Sequence, residues 1–166
     1  MDAKDILLDG LGRIPDEVHG AVHGLTAEQL RWAPTAGANT VGWLVWHLTR
    51  VQDSHLAELL DEGQIYVTGD WGPKFGLKSE PSDTGYGHST TEISQVEPGS
   101  AQVLLDYYQA VHDRTVAYVS GLTAADLDRV VDERWDPPVT LGVRLVSVID
   151  DDAQHAGQAA YVRGLL

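Results

Sequence analysis

One stretch constrains the fold of this chain more than any other. Residues 41–60, VGWLVWHLTRVQDSHLAELL, carry Leu44, Val45, Leu48, Val51, Leu56, Leu59 and Leu60 at three- and four-residue intervals. That is the period of a helix with a buried stripe. Thr40 stands where an N-cap hydroxyl accepts from the free N–H groups of the first turn, and Asn39 offers the same chemistry one residue earlier. Inside the apolar first half sits an imidazole, His47, between Trp46 and Leu48. Helical spacing puts Arg50, Val51 and Ser54 on its side. A solitary core histidine is most simply satisfied by a neighbour, so the question is whether other ligating groups reach it.

The rest of the chain supplies three more helices. Residues 3–24 place Leu7, Leu11, Ile14, Val18, Val22 and Leu25 on one side, and Pro15, which lacks a backbone donor, predicts a kink or a restart. Thr26 with Gln29 three residues on matches a capping box, so a short turn is expected before Pro34. Residues 99–120 form a third long helix with Val103, Leu104, Tyr107, Val111, Val116 and Tyr118 as core candidates and Gly121 as its stop. The last helix runs from about Leu141 to Arg163, after an extended DERWDPPVT whose residues preceding proline avoid the helical region.

A faint internal echo links the two halves. Gly24-Leu25-Thr26-Ala27 recurs as Gly121-Leu122-Thr123-Ala124, and Thr40-Val41-Gly42 as Thr140-Leu141-Gly142. Two helix-plus-cap halves of shared design are implied. Between the second and third long helices, residues 61–97 hold several Gly and Pro and no sustained apolar period. That is far longer than a hairpin needs and fits a crossover. Its Trp71, Phe75, Tyr86 and His88 either cover a pocket or fasten the loop to the bundle.

With 166 residues and 43% hydrophobic content, the chain is expected to form one domain, residues 1–166, with a real core. Its net charge of −14, from 11 Lys+Arg against 25 Asp+Glu, argues against nucleic-acid and anionic-membrane partners, which need a positive patch. The acidic beginning MDAKDILLDG is unlike a signal peptide, so a cytoplasmic location is expected. Cysteine is absent, which removes disulfides, thiolate ligands and an internal thiol nucleophile together.

The last helix offers candidate partners for His47, to be read either as metal ligands or as a solvated, hydrogen-bonded Asp–His pair at the helix surface. In VIDDDAQHAGQAAYVRG, Asp151 and His155 are four apart and project from one face, which Val148 and Ala159 share. With a histidine from another helix, such a pair makes a facial metal site with open coordination positions. Asp152, three residues from His155, competes with Asp151 for the role. At about 1.5 Å per residue, His47 lies roughly 10 Å along its helix, and Asp151 and His155 roughly 17–23 Å along theirs. They meet if the two helices are antiparallel, as in an up-down-down-up bundle, whose parallel middle step needs a crossover such as residues 61–97.

NTVGWLVWHLTRVQD, the preceding LTAEQLRWAP and the C-terminal DDAQHAGQAAYVRG together resemble the DinB/YfiT-like superfamily. The similarity is greatest to the branch holding the Streptomyces-type mini-circle protein and the N-terminal domain of mycothiol-dependent maleylpyruvate isomerase. The resemblance spans essentially the whole chain. It implies an all-α, up-down-down-up four-helix bundle with a long crossover between helices 2 and 3, often a homodimer. It also implies a divalent metal, zinc foremost and nickel, iron or manganese otherwise, on positions matching His47, Asp151 and His155.

Three functions follow from this reading. The first is a thiol-dependent S-transferase or isomerase acting on a small molecule, with an external low-molecular-weight thiol such as mycothiol. Arg50 would then hold a substrate carboxylate or form a structural ion pair, and His88 and Tyr86 would donate protons or hydrogen bonds from the crossover. The second is metal-dependent hydrolysis with Asp150 or Asp152 as general base. The third is a non-enzymatic, stress-related binding protein.

Overall fold

The computed structural model describes residues 1–166. Four long helices dominate it: α1 (Ala3–Val22), α3 (Val41–Leu60), α6 (Ala101–Ser120) and α8 (Leu141–Arg163). Short helical turns join them: α2 (Ala27–Leu30), α4 (Ile65–Thr68), a 3₁₀ turn at Gly72–Phe75, α5 (Thr90–Gln95) and α7 (Ala124–Leu127). The one departure from a helical fold lies at the two ends of the segment expected to be extended, whose middle, residues 133–138, is bent rather than strand. There β1 (Val130–Asp132) and β2 (Val139–Thr140) pair antiparallel, Val130 opposite Thr140 and Asp132 opposite Val139.

Local chemistry sets the helix starts. The Asp2 carboxylate caps α1 and exchanges a capping box with Asp5. The Thr40 hydroxyl accepts from the Trp43 N–H at 3.0 Å, and Ser100 and Thr140 cap α6 and α8 in the same way. Pro15 does not restart α1, which is helical on both sides of it. One missing donor is tolerated where Leu11, Ile14 and Val18 hold that helix to the core.

Helix α3 departs from the one-stripe expectation. Val41 to Arg50 are buried without exception, whereas Val51, Leu59 and Leu60 of the predicted stripe are only half-buried. The reason is the crossover, whose Tyr66 and Phe75 join the same core as Trp46, Leu48 and Tyr107. Phe75 and Trp71 therefore fasten the loop to the bundle. Phe75 packs on Tyr66 and Tyr107, and Trp71 lies 5.2 Å from the Tyr107 ring with Lys74 over its face. A smaller core of Leu7, Leu11, Val119, Leu122, Leu141 and Leu145 closes the other end.

The internal echo has a structural counterpart. Thr26 and Thr123 both form capping boxes, with Gln29 and Asp126. Each short helix then seats a C-terminal carbonyl on the glycine that is second in the following long helix. A Cβ on Gly42 would stand 2.8 Å from the Leu30 carbonyl and from Pro98, and one on Gly142 3.3 Å from the Leu127 carbonyl. Gly42→Ala is therefore expected to cost about 1–3 kcal/mol, as overpacking does. Gly142→Ala should cost less, and urea denaturation of the two variants checks the order.

Candidate metal centre

Helix α3 delivers His47, and α8 delivers Asp151 and His155 one turn apart. One ligating atom from each lies within 4.8 Å of the others. The imidazole rings of His47 and His155 are 4.8 Å apart and nearly perpendicular, and Asp151 Oδ1 is 3.6 Å from His155 Nε2. Trp43, one turn before His47, stacks on its ring at 4.6 Å and meets His155 edge-on.

The partners of the other ring nitrogens decide what faces the cluster. His47 Nδ1 donates to the Thr84 carbonyl. His155 Nδ1 donates to Gln158 Oε1 at 3.0 Å. In both rings the proton is thus assigned to Nδ1 and the lone pair to Nε2. Asp151 Oδ2 is buried with no hydrogen-bond partner. Two fixed imidazole lone pairs and an unsatisfied carboxylate oxygen are the donor set a divalent ion takes, and anchored Nδ1–H groups are the usual outer support of such ligands. The residues present fit a metal. Burial, before any other cause, holds His47 below the ordinary histidine range, which keeps it neutral and ligand-ready. His155 is instead raised, chiefly by Asp151.

Asp151 rather than Asp152 joins this group. One residue further on, the helix has turned by about 100°, and Asp152 is fully buried in the core with neither oxygen bonded. Burial, reinforced by Asp151, raises its carboxyl well above the carboxylate range. Asp150 is exposed and accepts from Gln154.

Arg50 and His88 do not do what a substrate-facing reading assigns them. Arg50 is fully buried, paired with Asp53 at 3.7 Å, and stands over the Tyr66 ring. It donates from Nε to the Asp83 carbonyl at 2.9 Å and from Nη2 to the carbonyls of Glu80 and Pro81. It is therefore a clamp on the crossover, and the residue after Asp83 is the one whose carbonyl holds His47. His88 spends both nitrogens, accepting from Trp43 Nε1 at 3.1 Å and donating to Asp83 at 2.9 Å. Tyr86 is 91% exposed and lines a cavity of about 400 Å³ with His47, Val51, Ser54, His55, Thr84 and Asp151.

Sequence reasoning missed Thr84, Gly85, Gln158 and His55. A backbone carbonyl leaves no trace in side-chain pattern. Gly85 does leave one: φ is +89°, and a Cβ there would stand 2.8 Å from His47 Nδ1. Gln158, three residues after His155, carried a spacing signal.

The sequence profile of the DinB superfamily matches residues 11–159, and the chain belongs to that superfamily. Among solved structures it is similar to a conserved protein from Enterococcus faecalis, at 31% identity, covering 98% of this chain and 96% of the other with a TM-score of 0.89. It is also similar to YfiT from Bacillus subtilis, described as a probable metal-dependent hydrolase with an unusual four-helix bundle topology. That likeness, at 21% identity, 96% and 85% coverage and a TM-score of 0.65, concerns the fold. No curated protein matches the chain. No helix is long and apolar enough to cross a membrane.

Proposed function

We propose that this chain is a metal-dependent enzyme holding one divalent ion, zinc foremost, on His47 Nε2, Asp151 and His155 Nε2, and that it presents an external thiol to a small electrophile as an S-transferase or isomerase. The observation that carries this is the convergence of two Nδ1-anchored imidazoles on an unpartnered carboxylate oxygen. When bound there, a divalent ion supplies a Lewis acid that favours the thiolate of a coordinated thiol. Thr84 and Gln158 hold the two rings in place, and Trp43 covers the His47 face. The cavity beside His47 and Asp151 admits a small molecule. Since the chain has no cysteine, the thiol comes from outside.

The description of YfiT favours hydrolysis as a second reading. It needs a general base, and Asp150 and Asp152 both lie outside the ligand cluster. Either bound nucleophile must release one proton to solvent, and a thiol, which starts far more acidic than water, does so more readily without a positioned base, so the thiol reading leads.

The same proposal takes residues 1–166 as one domain, an up-down-down-up bundle with residues 61–97 as its crossover. Contacts of His47 with His155 and of Glu58 with Arg144 support antiparallel α3 and α8. Gly10 beside Ile149 and Arg163 on the Ala21 carbonyl support parallel α1 and α8, and Lys4 on the Ser120 carbonyl supports antiparallel α1 and α6.

Elemental mass spectrometry of tag-free protein tests the proposal. About one divalent ion per chain is expected, removed by chelation and restored by zinc. Turnover of electrophilic test substrates should then require an added thiol. Turnover of ester or amide substrates without one would favour hydrolysis, and no uptake of zinc, nickel or manganese would end both readings.

A further inference from the structure

The face of α3 that carries His47 continues through Val51, Ser54 and His55 to Glu58, and His55 lines the same cavity as His47 and Asp151. Behind His55 lies Arg144, 7% exposed, which ties this end of the bundle together. It donates to Glu58 Oε2 at 3.1 Å, to Asp132 Oδ2 at 3.1 Å and to His55 Nδ1 at 3.1 Å. Asp132 is in turn held by Arg134 at 2.7 Å.

A guanidinium has donors only. Its contact with His55 Nδ1 therefore requires that nitrogen to be the acceptor, and the ring proton must sit on Nε2. Nothing in the protein accepts from Nε2. We infer that His55 is the ligand-orienting donor of the site: its Nε2–H takes a carboxylate or carbonyl oxygen of a molecule whose sulfur lies at the His47–Asp151–His155 cluster. The inference rests on the metal reading above and adds to it the class of molecule, an extended thiol with an acceptor oxygen at its far end.

Three features support this. Arg144 polarises the ring, so the chain from guanidinium through imidazole to acceptor strengthens each bond in it. Burial, and then Arg144, hold His55 below the ordinary histidine range, so the neutral ring persists at neutral pH. His55 is also eight residues, or about 12 Å of helix, from His47, which sets the length of ligand that bridges the two.

The test uses cobalt-loaded full-length protein and two thiols of equal chain length, 6-mercaptohexanoate and hexanethiol. Thiolate-to-cobalt charge-transfer absorbance reads binding. Wild type is expected to prefer the carboxylate. His55→Phe, which fills the space without a donor, should lower that preference about 10–100-fold, the range for one hydrogen bond to a charged group. His55→Gln, which restores a donor, should recover most of it, and hexanethiol affinity and cobalt content should be unchanged throughout. An unchanged preference in His55→Phe would overturn this inference alone. Cobalt bound without a charge-transfer band on thiol addition would remove the thiol reading and this inference with it, and failure to load cobalt would remove the metal reading as well. In the metal-free protein, long-range nitrogen-15 NMR should show His55 protonated on Nε2, and a proton on Nδ1 would equally overturn it.

Discussion

Asp53→Ala is expected to destabilise the protein by about 3–5 kcal/mol, the usual cost of removing one partner from a buried ion pair. The carboxylate is fully buried, and three hydrogen-bond donors and two guanidinium groups converge on it. The N–H groups of Ile65 and Tyr66 bond it at 2.9 and 2.8 Å, and the Tyr107 hydroxyl at 2.9 Å. The guanidinium groups of Arg50 and Arg114 lie 3.7 Å away on either side. Without Asp53, the Arg50 charge loses its counter-ion in a place that water does not reach. The first turn of α4 also loses its cap.

Asn is not expected to rescue the variant, because its NH₂ group would meet backbone donors where a second acceptor is needed. Against a typical total of about 5–15 kcal/mol, the loss is a large share. At roughly 2–4 °C per kcal/mol for a chain of this size, Tm should fall by roughly 6–20 °C. Calorimetry of Asp53→Ala and Asp53→Asn reads it directly. A shift of a degree or two would mean that the crossover is held by Phe75, Tyr66 and Trp71 packing rather than by this network.

The pair also shows where sequence reading stops. Arg50 and Asp53 are three apart on a helix, a spacing that usually marks a solvated ion pair. Only the crossover wrapped over that face makes it a buried one, and nothing local announces the wrapping. The long helices were legible because their period and caps are local: Thr40 and Thr140 start α3 and α8 where the sequence places them. The spacing of Asp151 and His155 was legible for the same reason. The choice between Asp151 and Asp152 was not, since it depends on how α8 is rotated about its own axis against α3. The role of His55 is set by an arginine 89 residues away, and that of His47 by a carbonyl 37 residues on. The fold is written in periodicity, but the outer support of the site is written in tertiary contacts.

Removal of a ligand should have the larger effect on metal binding. His155→Ala takes away one of the three donors proposed above and leaves Asp151 Oδ1 without its neighbour, so zinc affinity should fall by more than about 100-fold. Loss of an outer hydrogen bond typically costs 10–100-fold, and that smaller loss is expected for Gly85→Ala. There the new Cβ, in a left-handed backbone and 2.8 Å from His47 Nδ1, pushes the Thr84 carbonyl off the ring. Arg50→Met, which releases the Asp83 carbonyl next to Thr84, should lose at least as much and should also destabilise the fold, because it leaves buried Asp53 with one counter-ion fewer. Competition titration against a chromophoric zinc chelator, with circular dichroism to verify helix content, ranks the three. If Gly85→Ala binds zinc as wild type does, the Thr84 carbonyl is dispensable and His47 is oriented by Trp43 stacking alone. If His155→Ala does so, the ion is held elsewhere. His155 would then owe its place to the carboxylate beside it.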